Sequence, residues 1–109
     1  MRRVGTTLAL AASLLLLAFA ARAADAKAGE AKAQPCVACH GVDGISTQPN
    51  APNLAGQPAI YLADQLRQFR SGKRPSEVMA VIAKPLSDAD VDDLAAWFES
   101  IPVEVKPRR

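Results

Sequence analysis

Apolar residues are spaced in two ways along this chain. From Leu8 to Ala20 they run together ("LALAASLLLLAFA"), broken only by Ser13. Further on they recur in steps of three and four, the mark of helices with one buried face. Ala59, Leu62, Leu66 and Phe69 form one such stripe. Pro58 suits its first turn and Gly72 its end, so a helix through about Ser71 is predicted. Val91, Leu94, Ala95, Phe98 and Ile101 form another, flanked by Trp97 and stopped by Pro102. Ser87 with Asp90 gives it a capping box, and the early carboxylates favour its positive end. A shorter helical piece is predicted over Met79 to Lys84. Alanine-rich residues 26–33 predict one more, ending before Pro35 because the residue ahead of a proline avoids the α region. Between these, "GVDGISTQPNAPNLAGQ" (41–57) is a long irregular loop. A loop of that length in a compact domain serves a function or wraps around something. No stretch alternates as a strand, so the fold class is all-α, about four short helices and one long loop, without internal repeat.

The continuous apolar run changes how the composition is read. Arg2 and Arg3 precede it and Ala21-Arg22-Ala23 closes it, the plan of a secretory signal peptide over residues 1–23. A membrane span needs roughly 20 apolar residues, more than this run supplies. Cleavage there takes 23 residues from 109 and leaves 86, a single domain over 24–109. The 13 basic residues lose Arg2, Arg3 and Arg22, leaving 10 against 11 acidic ones, a net charge of −1. The basic balance of the whole chain therefore belongs to the leader, and nucleic acid is not an expected partner. The remaining aromatics are Tyr61, Phe69, Trp97 and Phe98. A domain this small with so thin a core leans on a disulfide, a metal or a cofactor.

The candidate chemistry is concentrated in "PCVACHG" (35–41), which holds both cysteines, Cys36 and Cys39, and the only histidine, His40. A redox dithiol of this spacing belongs beside a βαβ unit, and no strand is predicted. Zinc needs four ligands, one more than this cluster has. A disulfide across so small a loop stabilises little and leaves the histidine unexplained. A covalent haem uses every residue. Cys36 and Cys39, about one helical turn apart, reach the two vinyl groups as thioethers, and His40 is carried under the ring toward the iron. The export signal is consistent with attachment outside the cytoplasm. No acid–base dyad, nucleophile or phosphate loop is present, so no catalytic activity is expected.

With these motifs in place the chain resembles the class I c-type cytochromes, in particular small bacterial monohaem ones and single halves of dihaem periplasmic ones. "GEAKAQPCVACHG", "PNLAGQPAIYLADQLRQFRSGKRP" and "MAVIAKPLSDADVDDLAAWFESI" carry the likeness in family order, over about residues 26–101. The resemblance implies helices wrapped around one covalent haem c and an electron-transfer role. It assigns the thioethers to Cys36 and Cys39, the proximal ligand to His40 and the distal ligand to Met79. A gap-filling core methionine is the plainer reading of Met79, and Lys73 or Lys84 the competing ligand. Pro52 with Leu54 matches the family's P-x-L element, whose proline carbonyl accepts the proximal Nδ1–H; Pro49 is a rival. Gly29 matches the glycine where the first and last helices cross, whereas Ala33 departs from the aromatic many relatives carry. Trp97 stands where an aromatic is usual. The implied partners are transient redox donors and acceptors in the periplasm, with no stable membrane anchor after cleavage. The alternatives are a haem-based ligand sensor with a displaceable sixth ligand, or a haem subunit of a larger dehydrogenase or oxidase complex. Arg67, Arg70 and Arg74, with Lys73 nearby, read as a solvated helix face; the sharper readings are a docking patch for an acidic partner or a partner for a haem propionate.

Overall fold

The computed structural model describes residues 22–109. The expected signal peptide therefore lies almost wholly outside the described residues. Five helices follow in order: α1 Ala26–Lys32, α2 Gln34–His40, α3 Ala59–Ser71, α4 Glu77–Ala83 and α5 Asp88–Ser100. There is no strand among the described residues, and among them no helix is long and apolar enough to cross a membrane.

The longer helices begin and end as their sequences dictate. Pro58 caps α3, and Gly72 ends it in the left-handed region. Ser87 and Asp90 form the reciprocal capping box of α5. The α4 helix starts two residues before the expected position, because Ser76 accepts a hydrogen bond from the Met79 N–H and so caps the chain at Glu77. The element beyond the predicted four is α2. Pro35 does not simply end α1; it occupies the first turn of a second helix, where a missing N–H costs nothing. Ala33 is the hinge between the two, and its carbonyl accepts from the Cys36 N–H at 2.8 Å.

The core is built on α5. Val91, Leu94, Ala95 and Phe98 are buried against Leu62 and Ala63 of α3 and against Ala33. Leu94 and Val91 are almost wholly removed from water, worth roughly 1.5–3 kcal/mol each. Trp97 and Ile101 are partly buried beside this cluster. Where α1 crosses α5, Gly29 lies so close that a Cβ would stand 1.9 Å from the Asp93 carbonyl oxygen and 2.9 Å from Trp97 Cβ. The expected role of Gly29 is thus visible as geometry. Ala33, small where an aromatic is common, is buried in the same core.

Asp93 is the carboxylate fully buried at this crossing. It accepts from the Asp25 backbone N–H at 2.9 Å and from Lys32 at 3.0 Å. Arg22 also meets it at 3.0 Å, although the expected cleavage would remove that residue. The Asp25 N–H, Lys32 and Arg22 hold the Asp93 carboxyl far below the usual carboxylate range. The α3–α5 seam is clasped in turn by Arg67 with Asp92 and by Arg70 with Asp88, each at 2.7 Å. Arg70 donates to the Leu86 carbonyl as well, at 3.0 Å. Those two arginines are therefore interhelical clasps on a solvated face.

Candidate functional site

Helix α2 is short, but it places its three special side chains on one side of the molecule. Cys36, Cys39 and His40 all line a cavity of about 530 Å³. Met79, 39 residues past His40 in the chain, lines the same cavity from α4. Leu62, Leu66 and Phe69 of α3 and Leu94 and Phe98 of α5 form its apolar floor. His40 is buried, Cys36 and Met79 are half-buried, and Cys39 lies at the exposed rim.

The loop over residues 41–58 holds the imidazole. Leu54 and Ala55 both donate backbone N–H groups to the Gly44 carbonyl, at 2.8 and 3.0 Å, which ties the two ends of the loop together. Ser46 donates through Oγ to the Cys39 carbonyl at 2.9 Å, and its N–H donates to Asn53 Oδ1 at 2.7 Å. These bonds bring the Pro52 carbonyl to 2.7 Å from His40 Nδ1. A carbonyl can only accept, so Nδ1 bears the hydrogen, and in the neutral ring the lone pair is on Nε2. Leu54, two residues on, is partly buried and packs against the core beside the cavity. Pro52, and not Pro49, is the loop proline that meets the ring.

The redox-dithiol and zinc readings of the two cysteines gain no support from the structure. Burial pushes the Cys36 thiol up, whereas a reactive dithiol needs a lowered one. Among the described residues no three His, Cys, Asp or Glu side chains converge to hold a metal ion. The cavity does suit a large flat apolar cofactor: two thiols at its edge, a buried imidazole with a free nitrogen, a thioether on a separate helix, and aliphatic walls. Arg74 also borders it. Its guanidinium stacks 4.6 Å from the Phe69 ring centroid and donates to Gln65 Oε1 at 2.7 Å. Lys32 borders it too, a position that no periodicity marks. Asp93 was equally silent in the sequence, since it stands next to the α5 stripe and reads as an ordinary solvated acid.

Fold and site together define a small helical protein organised around a covalently held haem. The family model for Cytochrome c matches residues 26–102, and the chain belongs to the cytochrome c family. It is 48% identical to Cytochrome c4 of Pseudomonas aeruginosa over 81% of its own length and 44% of that protein's. With Cytochrome c-554(548) of Halomonas halodenitrificans it shares 46% identity over 72% of this chain and 98% of that one. A Thiosulfate dehydrogenase electron acceptor from Thiomonas intermedia is 43% identical over 98% of this chain and 48% of its own. The chain thus spans about half the length of the cytochrome c4 relatives. The crystal structure of reduced recombinant cytochrome c4 from Pseudomonas stutzeri superposes with a TM-score of 0.71 at 43% identity, covering 76% of this chain and 48% of that one. The fold is the cytochrome c fold and the cofactor is haem c, bound covalently, with Cys36 and Cys39 fitting its C-x-x-C-H motif.

Proposed function

We propose that this chain is a one-electron carrier of the periplasm, and not an enzyme, in which Cys36 and Cys39 would hold the haem as thioethers and His40 and Met79 would ligate its iron. The observation that carries the reading is the convergence of α2 and α4 on one cavity, soft donors and imidazole from the first and a thioether from the second. When bound, haem c supplies reversible one-electron chemistry at iron. Everything else falls to this chain. Pro52 fixes the His40 tautomer and makes its free nitrogen a better base. Leu54 packs beside that support. A thioether from Met79 would, together with His40, hold the iron, favour the reduced state and leave no open place for substrate. The apolar walls exclude water and keep the reorganisation on electron exchange small.

The test is the optical spectrum of the full chain expressed with haem-maturation machinery. Reduced bands that survive acid-acetone extraction are expected, together with a weak far-red sulfur-to-iron band when oxidised. Met79→Ala should abolish that band and lower the midpoint potential. A wild-type protein without the band, or one that binds carbon monoxide rapidly when reduced, would favour the ligand sensor instead.

A second reading concerns the partner alone. The likeness to thiosulfate dehydrogenase electron acceptors, and to part of a thiosulfate dehydrogenase from Marichromatium purpuratum at 36% identity with a TM-score of 0.68, favours service as the electron-accepting subunit of a periplasmic dehydrogenase. Co-purification with such an enzyme from the native source would support it. Isolation as a monomer would support the free carrier.

A further inference from the structure

The buried carboxylate at the helix crossing is served by the segment that processing is expected to cut away. Asp93 takes two bonds from the Arg22 guanidinium, to Oδ1 at 3.3 Å and to Oδ2 at 3.0 Å, the forked geometry that suits a carboxylate. Its other donors are the Asp25 N–H at 2.9 Å and Lys32 at 3.0 Å. Lys32 is shared, since it also bonds Asp90 at 2.7 Å. The Asp25 side chain brings no cation and serves its own helix, accepting from the Lys27 and Ala28 N–H groups. With Arg22 in place, two cations meet Asp90 and Asp93. Cleavage after Ala23 removes one of them and leaves the fully buried Asp93 to share a single lysine with its neighbour. A buried charge that loses its partner is strongly destabilising.

We infer that the cut restores what it removes: the new α-ammonium of Ala24 takes the place of the Arg22 guanidinium on Asp93. In the cut, a leader peptidase adds water across the Ala23–Ala24 amide. The C–N bond breaks, the water oxygen goes to the Ala23 carbonyl to give a carboxylate, and both water protons go to the Ala24 nitrogen to give the ammonium. That nitrogen precedes the Asp25 nitrogen by one residue, roughly 3 Å along the backbone, and the Asp25 N–H already meets Asp93 Oδ1. Ala24 is exposed and stands ahead of α1. A turn about its own backbone therefore brings the ammonium to the oxygens that Arg22 gives up, with α1 left where it is. The competing site is Ala18-Phe19-Ala20, also small-x-small; a cut there keeps Arg22 and needs no exchange. The inference rests on the signal-peptide reading and is independent of the iron ligands.

The experiment exports the full precursor from a haem-maturing host and reads the first residues of the purified holoprotein by mass spectrometry. Its amines are then methylated with 13C-formaldehyde, which leaves them able to carry charge, and the terminal resonance is titrated by carbon NMR. A chain that begins at Ala24 is expected, with an α-amine that titrates above the range of terminal amines treated in the same way. In Asp93→Asn the α-amine should fall back to that range. In Asp90→Asn, which removes only the acid that competes for Lys32, it should stay close to wild type. A chain that begins at Ala21 and so keeps Arg22, or a wild-type α-amine in the ordinary range, would overturn the exchange. So would equal falls in Asp93→Asn and Asp90→Asn. If Asp93→Asn does not accumulate, the wild-type titration decides alone. A holoprotein that still begins at Met1 refutes the signal-peptide reading itself, an outcome visible before any titration.

Discussion

At the crossing of α1 and α5 a single methyl group on Gly29 would collide with the Asp93 carbonyl, and the carboxylate buried beneath it has every oxygen engaged. Next to it, α2, the long loop and α4 enclose a cavity floored by α3 and α5, and the α4 residues Val78 and Val81 on its border are 63% and 72% exposed. The first region is complementary to itself. Its shape and charge are satisfied by the chain alone, as close packing requires. The second region is complementary to something else: apolar walls, two thiols, a free imidazole nitrogen and no acid. A small domain can be firm in one half and still depend on a prosthetic group for the other.

The largest break in that comparison should come from removing the means of attachment. In Cys36→Ala/Cys39→Ala, hydrogen exchange is expected to lose protection throughout α2, residues 41–58 and α4, while α1 and α5 keep the most. Uniform loss would mean that the crossing also depends on the haem. Next is Gly29→Ala, which overpacks the crossing and should lower the stability of the holoprotein by about 3 kcal/mol, measured by denaturant unfolding. Its reduced spectrum should stay unchanged, since neither Gly29 nor Asp93 lines the cavity.

Asp93→Asn tests the charge of the crossing by pH. The folded carboxyl is held below its unfolded value, so its contribution is present above about pH 5 and is lost as pH falls through about 4 and lower. The variant should be less stable at neutral pH and lose less on acidification than wild type, and parallel acid-unfolding curves would refute this. The smallest effect is expected from Arg67→Gln. Its pair with Asp92 is solvent-accessible on both sides, so thermal melts should register about 0.5 kcal/mol or less.

Much of this arrangement can be read in the residues before any coordinates. Periodicity locates α3 and α5, and capping chemistry sets their ends, because both are local properties. The site is legible in "CVACH" for the same reason. What is not legible depends on residues far apart in sequence. Pro35 reads as a stop from one side and proves to be a start from the other, which only the position of α2 reveals. Pro52 is favoured over Pro49 only by its resemblance to a P-x-L element, until the bonds to Gly44 fold the loop and bring the Pro52 carbonyl to His40. Arg67, Arg70 and Arg74 look alike on a helical wheel, although Arg74 proves to lie beyond the end of α3. Acids on α5 separate Arg67 and Arg70 from Arg74, and no rule of spacing within α3 contains that information.

The contact of α1 with α5 means that the domain's first and last helices are neighbours. A unit closed on itself in this way packs its first helix against its last, so a segment joined ahead of α1 or after α5 continues from that one contact. Tandem duplication then needs only a linker. The relatives come both at about twice this chain's length and at about three quarters of it.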